Sequence, residues 1–322
     1  MQVDDESEHD ARCFPSLADR AMVLTGPTAS GKSSVALALA QRIGADIISL
    51  DSIAVYRQMD IGTAKPTIDE QRIVKHHLID VVDPNEMFSV ACYLDMAHAV
   101  LDDLERQGRK AIFVGGTPMF LKGILRGFDP GPPADWDFRQ SVEDDLAQHG
   151  IEALRDRLRQ VDPLAAHRIN ENDTRRMIRA LEVARYTGVP LSHRQTQFDQ
   201  TFAADQCQAF VLQMPREQLH QRINRRVESM FERGLIDEVR GLLQQYDTLS
   251  RTASQAVGYR EVIEWLKRGG EQSQPREDVA AHTRRLARRQ ETWFRSFREL
   301  TPIEIVDGAD PEQVATQIEA HL

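Results

Sequence analysis

The sequence predicts an α/β protein: a parallel sheet core, a mainly helical insertion and a helical C-terminal region. Three observations carry this. Short apolar, β-branched runs alternate with helical patterns through the first half, the signature of βαβ units. A glycine-rich loop, residues 26–33, joins one such run to a helix-like run. Between residues 118 and 205 the runs stop and the pattern turns polar and helical, and strand-like runs then resume.

Residues 1–20 hold six acids and two bases and read as a disordered tail. They carry no signal-peptide pattern, so a cytoplasmic address is expected. Ala21-Met22-Val23-Leu24-Thr25 is the first strand. Gly26-Pro27-Thr28-Ala29-Ser30-Gly31-Lys32-Ser33 follows it and fits G-x-x-x-x-G-K-[ST], the phosphate-binding P-loop. Residues 34–40 then read as a helix. This context gives the core a P-loop NTPase-like character. The glycines let backbone N–H groups turn toward a phosphate, and the helix N-terminus adds positive potential. Lys32 can reach the terminal phosphate, and Ser33 can ligate Mg²⁺. The motif implies a pyrophosphate-like ligand, not ATP and not hydrolysis.

Residues 46–50 read as the second strand, and Asp51 comes directly after it. In open α/β sheets the ligand lies beyond the carboxyl ends of the strands, so Asp51 should face the same crevice as the P-loop. A carboxylate there can take a proton from a nucleophile or hold a metal through water. Asp-Ser equally suits a helix N-cap. Residues 90–107 read as a helix and 110–114 as a strand, followed by Gly115-Gly116-Thr117. Those paired glycines either let backbone approach a ligand or make a tight strand-to-helix turn.

Gly127, Gly131-Pro132-Pro133 and Gly188-Val189-Pro190 punctuate the segment 118–205, which reads as a helical insertion. The core is therefore expected over 21–117 and 206–322. In its second part, 208–214 and 303–306 read as strands and 216–298 as mainly helical. Leu219, Ile223, Val227 and Met230 form an apolar stripe there, and Gly234 suits a helix C-cap.

The 322 residues suffice for a sizeable core. No apolar run approaches the roughly 18 residues of a membrane span, so no membrane partner is expected. Cys13, Cys92 and Cys207 lack metal-like spacing, which argues against a structural zinc site or disulfide framework. The net charge of −10 argues against a nucleic-acid partner until its distribution is considered. Residues 283–298, TRRLARRQETWFRSFR, hold six arginines and one acid beside Trp293 and Phe294. Arg175, Arg176 and Arg179 form a second basic group. Local field matters for docking phosphates more than total charge does, so a nucleic-acid contact and a solvated helix face stay equally open.

Taken together, GPTASGKS, DSIAVYRQMDIGTAKP at 51–66, HHLID at 76–80, VGGT, NDTRRMIRALEV at 172–183, AVGYRE at 256–261 and RRQETWFR at 288–295 resemble one family. It is the tRNA dimethylallyltransferases, also called tRNA isopentenyltransferases, and the landmarks span nearly the whole chain. The resemblance implies transfer of a dimethylallyl group from dimethylallyl diphosphate to the N6 amine of adenosine 37 of tRNA, giving N6-isopentenyladenosine and pyrophosphate. It implies that the P-loop, residues 26–33, holds the diphosphate with Mg²⁺. It makes Asp51 the base. One of Arg222 and Arg226 reaches the pyrophosphate, and Arg222 is preferred. Thr117 and Arg139 match positions that meet the tRNA near the reacting base.

The acceptor base must leave its stack to be reached, and single-stranded loops are where proteins read RNA. By resemblance the tRNA contacts are Asp51, Ser52, Ile53 and Ala54; Arg175, Arg176, Met177, Ile178 and Arg179; and Gln255, Ala256, Val257, Gly258, Tyr259 and Arg260. The insertion 118–205 is expected on the anticodon arm, and the enzyme as a monomer. Arg175 and Arg179 share a helix face if Asp173 caps that helix. The chain departs from the family pattern at Thr174-Arg175, where Pro-Gln is usual, and at Phe120, where an aromatic hydroxyl is usual. Two alternatives share the core: a P-loop small-molecule kinase, and an isopentenyltransferase acting on free adenine nucleotide. Neither explains both the helical insertion and the basic segments. A non-catalytic RNA-binding P-loop protein fits Asp51 less well.

Overall fold

The computed structural model describes residues 13–194, 198, 201–270 and 274–322. The chain divides into two compact units. The larger comprises residues 16–125 and 201–322, and the smaller residues 1–15 and 126–200.

The larger unit is built on six strands: β1 (Met22–Thr25), β2 (Ala45–Leu50), β3 (His76–His77), β4 (Lys110–Gly115), β5 (Ala209–Gln213) and β6 (Thr301–Glu304). They form one sheet in the order β3-β2-β4-β1-β5-β6, and every pairing is parallel. The first part carries α1 (Lys32–Ile43), α2 (Ile68–Ile73), α3 (Val90–Arg106) and α4 (Pro118–Arg126). The strands β1 and β2 are buried along their whole length, which is why they read as continuous apolar runs rather than alternating ones.

The smaller unit holds α5 (Trp136–Val161), α6 (Pro163–Arg168), α7 (Thr174–Thr187) and α8 (Leu191–Arg194). Asp135, Asp162 and Asp173 each accept a backbone N–H at the start of α5, α6 and α7. Gly150 interrupts α5 at φ 78°, a left-handed conformation that costs other residues more. Phe138, Val142, Leu154, Leu158, Met177, Ile178 and Leu181 make its core.

In the second part of the larger unit come α9 (Arg216–Glu232), α10 (Leu235–Gln245), α11 (Arg251–Ser254), α12 (Tyr259–Lys267), α13 (Arg276–Phe294) and α14 (Pro311–Glu319). The expected stripe on α9 is buried, and Gly234 at φ 96° ends α9 and opens α10. Helix α14, absent from the sequence expectations, starts at an Asp310 cap with Pro311 in its first turn and packs on α1.

Four boundaries differ from expectation. The helical insertion begins at 126, not 118, because α4 is apolar on the core side: Phe120, Leu121, Ile124 and Leu125 are buried. The core resumes at 201 rather than 206. The expected tail over 1–20 lies outside the described residues up to 12, but 13–20 are ordered by contacts. Leu17 and Ala18 are buried, and the Ser16 hydroxyl donates to the Leu125 carbonyl at 2.7 Å. The strand β6 is shifted to 301–304 and includes Pro302, which a sheet tolerates at an edge such as this one.

Candidate functional site

Three loops leave the carboxyl ends of neighbouring strands and build one crevice. The P-loop follows β1, Gly116-Thr117 follows β4, and Asp51 follows β2. The chain enters α1 through Gly31 at φ 94°, which has no side chain to cap the helix. No acid lies in the first turn either. The first-turn N–H groups are therefore left for an anion. Gly26 has no room for a side chain: a Cβ there would stand 3.0 Å from the Leu212 carbonyl oxygen. The Ser30 hydroxyl is buried with no hydrogen-bond partner among the described residues, so it is a polar group that a ligand in the loop could satisfy.

Asp51 Oδ1 accepts the Ile53 and Ala54 N–H groups at 2.8 and 3.2 Å. Oδ2 has no protein donor among the described residues. Asp51 thus caps a turn rather than a helix through one oxygen, and its carboxylate lines the cavity. Thr117 Oγ1 accepts the Ser52 N–H at 2.9 Å, tying the β4 end to the same turn. Asp51, Thr28, Lys32, Ser33, Thr63 and Arg226 line a cavity of about 200 Å³ together with Ile47, Val227, Met230, Val279 and Leu286. The lining thus mixes cationic and polar groups with apolar ones.

The cations meet at the P-loop. Lys32 Nζ donates to the Pro27 carbonyl at 2.9 Å. Burial, reinforced by Arg226, pushes the Lys32 ammonium down to about 7, while Asp51 opposes the shift. Burial also lowers Arg226, again against Asp51. Arg226 Nη2 donates to the Thr63 carbonyl at 3.1 Å. Arg222 lies over Gly31, its Nη2 3.2 Å from where a Cβ would stand. Ala29, Gly31, Lys32 and Ser33 share a second, open pocket with Arg222, Arg225, Arg226 and Asp307. Both expected arginines therefore reach the loop, and Arg226 alone of the two borders both pockets.

Sequence reasoning missed two supports. Gln290 is a buried amide on the apolar face of α13. Its Oε1 accepts the Thr28 N–H at 2.8 Å and its Nε2 donates to the Gly116 carbonyl at 2.7 Å. It thereby clamps the P-loop to the β4 end. A polar amide in the buried register of a helix was the one local signal. Glu238 accepts the N–H groups of Asp60, Ile61 and Gly62 at 3.0, 2.7 and 3.2 Å, and the Tyr259 hydroxyl at 2.6 Å. It fixes the loop that carries Thr63 to Arg226.

Several expected contacts are used otherwise. Gly115 and Gly116 serve close protein packing: a Cβ on Gly115 would collide with the Leu50 carbonyl, and one on Gly116 would stand 2.5 Å from Gln290. Met177 and Ile178 are core residues of the smaller unit. Glu182, fully buried there, pairs with both Arg139 and Arg179. Burial alone would raise the Glu182 carboxyl, but the two arginines overrule it and hold it below its ordinary value. Arg179 also donates to the Pro130 and Pro132 carbonyls, so it is a structural tie rather than a free cation. Arg175 and Arg176 stay exposed. Ala54, Ala256, Gly258 and Tyr259 are buried, and Gly258 N–H donates to Glu261 as a helix cap. Arg260 pairs with Glu261 at 2.6 Å. Gln255 is exposed, while Ile53, Ala256 and Val257 line the cavity. Phe120 stacks on Tyr93 at 3.9 Å between ring centroids, so its missing hydroxyl falls in the core.

A profile of the IPP transferase family matches residues 54–297. A tRNA dimethylallyltransferase of Rhodopirellula baltica is 57% identical over 295 residues, covering 89% of this chain and 88% of its own length. One of Geobacter sulfurreducens is 43% identical over 274 residues, covering 85% and 88%. The crystal structure of a tRNA isopentenylpyrophosphate transferase of Bacillus halodurans superposes with TM-score 0.67 at 36% identity, covering 94% and 95%. A eukaryotic dimethylallyltransferase caught acting on tRNA superposes with TM-score 0.75 at 25% identity, covering 92% of this chain and 76% of that one.

Proposed function

The chain belongs to the IPP transferase family, whose curated relatives here are tRNA dimethylallyltransferases, and from that premise we propose how it works. It is a prenyltransferase that moves a dimethylallyl group to tRNA. The small-molecule kinase alternative falls with that membership. Our finer reading is that the donor is dimethylallyl diphosphate and the acceptor the N6 amine of adenosine 37. One observation supports it most: Asp51, an uncapped P-loop helix and the cations Lys32 and Arg226 line one cavity with the apolar Val227, Met230, Val279 and Leu286.

In this reading the dimethylallyl group lies among Val227, Met230, Val279 and Leu286, and the diphosphate lies on the P-loop. The adenine amine attacks the allylic carbon. As the new N–C bond forms, the C–O bond breaks and its electron pair leaves on pyrophosphate. Backbone N–H groups of α1 with Lys32, Arg222 and Arg226 hold that growing charge where it develops. Asp51 Oδ2 takes the amine proton, while Oδ1 stays fixed by its two backbone donors. Gln290 and Thr117 keep the P-loop and the Asp51 turn in register.

The residues also fit a Mg²⁺ ion held mainly by the substrate. Ser33 supplies a hydroxyl at both pockets and Asp51 a nearby carboxylate. No trio of His, Cys, Asp or Glu gathers around a metal-sized space among the described residues. Mg²⁺ commonly keeps several waters and binds through one or two protein groups plus phosphate oxygens, which matches that supply. When bound, it neutralises charge on the leaving pyrophosphate.

The test is incubation with dimethylallyl diphosphate, Mg²⁺ and an anticodon stem-loop, followed by nucleoside mass spectrometry. Prenylated adenosine at position 37 is expected. Its absence, or equal transfer to free AMP, defeats the reading.

A further inference from the structure

The open pocket beside the P-loop holds four cationic side chains and one acid. The acid is Asp307, in the loop that leaves β6. A carboxylate in the wall of an anion pocket repels the ligand, so its presence needs another cause. Its contacts supply one. Asp307 pairs with Arg225 on one oxygen. On the other it meets Arg222 Nη1 at 3.4 Å. The Asp307 N–H donates to Gln218 Oε1 at 2.7 Å, which anchors the loop to the helix bearing both arginines. Gly308 follows at φ 82° and turns the chain away. Arg222 meanwhile extends its other terminal nitrogen over Gly31, at the entrance of α1.

We infer that Asp307 is a positioning residue for the leaving diphosphate: it holds one edge of the Arg222 guanidinium so that the other edge stays over the P-loop. A guanidinium is a planar fork, so fixing one edge fixes the direction of the other. Left free, a half-exposed arginine spreads over many rotamers, and ordering it on ligand binding costs affinity. Arg225 sits on the far side of the same carboxylate and keeps it charged and in place; that pairing holds the Asp307 carboxyl below its ordinary value. The inference rests on the diphosphate reading of the P-loop.

Two effects of Asp307 on the anion have opposite signs, and that makes the role testable. Loss of its charge alone should tighten anion binding. Loss of its hold on Arg222 should weaken it. The measurement is calorimetric binding of inorganic pyrophosphate with Mg²⁺ to the whole chain, for the parent, Asp307→Asn, Arg222→Ala and the double variant. Asp307→Asn should weaken binding about tenfold, within the range that coupled neighbours show. In the Arg222→Ala background the same change should do nothing or slightly tighten binding. The KM for dimethylallyl diphosphate should rise in step, with the tRNA KM unchanged. Asp307→Glu should restore part of the affinity. Unchanged or tighter binding in Asp307→Asn overturns the inference, as does an equal loss with and without Arg222. If the parent chain binds no pyrophosphate, the diphosphate reading itself fails, and the two failures are told apart by that first titration.

Discussion

In the proposed mechanism the chemistry turns on Asp51 and Lys32, and each makes a separate prediction. Asp51 has one oxygen committed to the Ile53 and Ala54 N–H groups and one left in the cavity wall. Asp51→Asn keeps the turn, because an amide oxygen can accept the same two hydrogen bonds, but it cannot accept a proton. Transfer should fall about 10²–10⁴-fold. Pyrophosphate affinity should stay within a factor of about two to three, since the phosphate cradle is separate. Single-turnover prenyl transfer and calorimetry read these two outcomes; wild-type turnover at saturation would falsify the base role.

Lys32 predicts a proton linkage. Burial pushes its ammonium down to about 7, far below the ordinary lysine value of about 10.4. Lysine lowered on folding makes the unfolded chain the better proton binder between those values. The stability cost of burying Lys32 is therefore full below pH 7 and fades as pH rises toward the unfolded value. A bound diphosphate reverses the balance by favouring the charged amine. Binding above pH 7 should then take up a proton on Lys32 and weaken as pH rises; below pH 7 this contribution vanishes. Titrations at pH 8 in buffers of different ionisation enthalpy should show an uptake that Lys32→Met loses. Identical proton counts for the two proteins would remove the argument.

At the scale of elements, α13 shows how one helix serves both core and site. Its buried register runs through Val279, Thr283, Ala287, Gln290 and Phe294. Gln290 occupies an apolar position and meets two backbone groups that have no other partner there. Gln290→Leu fills similar space but leaves the Thr28 N–H and the Gly116 carbonyl unpaired. Each buried orphan costs about 1–3 kcal/mol. The melting temperature should drop and the KM for dimethylallyl diphosphate rise, with tRNA affinity held. A variant as stable as the parent with an unchanged KM would leave the clamp without a role.

The parallel strands and α1, α3 and α9 were legible because buried apolar runs and 3.6-residue stripes depend on local sequence alone. The strand β3, two residues long at a sheet edge, carries no periodic signal and was not legible. The strand β6 was legible at 303–306, but Pro302 inside it hid its true start at 301. The P-loop was legible because Gly26 and Gly31 adopt positive φ, which favours glycine, and Asp51 because it directly follows an apolar strand run. Gln290, Glu238 and Asp307 were not, because each is defined by what it meets far away in sequence. The same limit explains Met177, Ile178 and Tyr259, which motif position assigns to tRNA and packing assigns to the core.

Across the whole molecule, the charge of −10 has to coexist with a polyanionic partner. The two basic groups read from sequence do not contribute alike. In the α7 group, Arg179 is tied to Glu182 and two carbonyls, and Arg176 lies 3.3 Å from Asp173. On α13, Arg285, Arg288 and Arg289 are exposed and have no acidic partner among the described residues. Only cations free of such partners can exchange small counterions for phosphates without first breaking an ion pair. Neutralising Arg285, Arg288 and Arg289 together should therefore flatten the log–log salt slope of tRNA binding, by about 0.7–0.9 for each phosphate that these arginines neutralise in the parent. The tRNA KM should rise more than kcat falls, because such ion pairs act in ground and transition states alike. Pyrophosphate affinity should not move. Arg179→Gln should behave differently: it leaves Glu182 buried with one cation fewer, so the expected loss is thermal stability, at an unchanged salt slope. Filter binding across a salt series, with melting curves for the same variants, separates the two outcomes. Equal slopes for the α13 variant and the parent would mean that tRNA docks elsewhere, and that these arginines form only a solvated helix face.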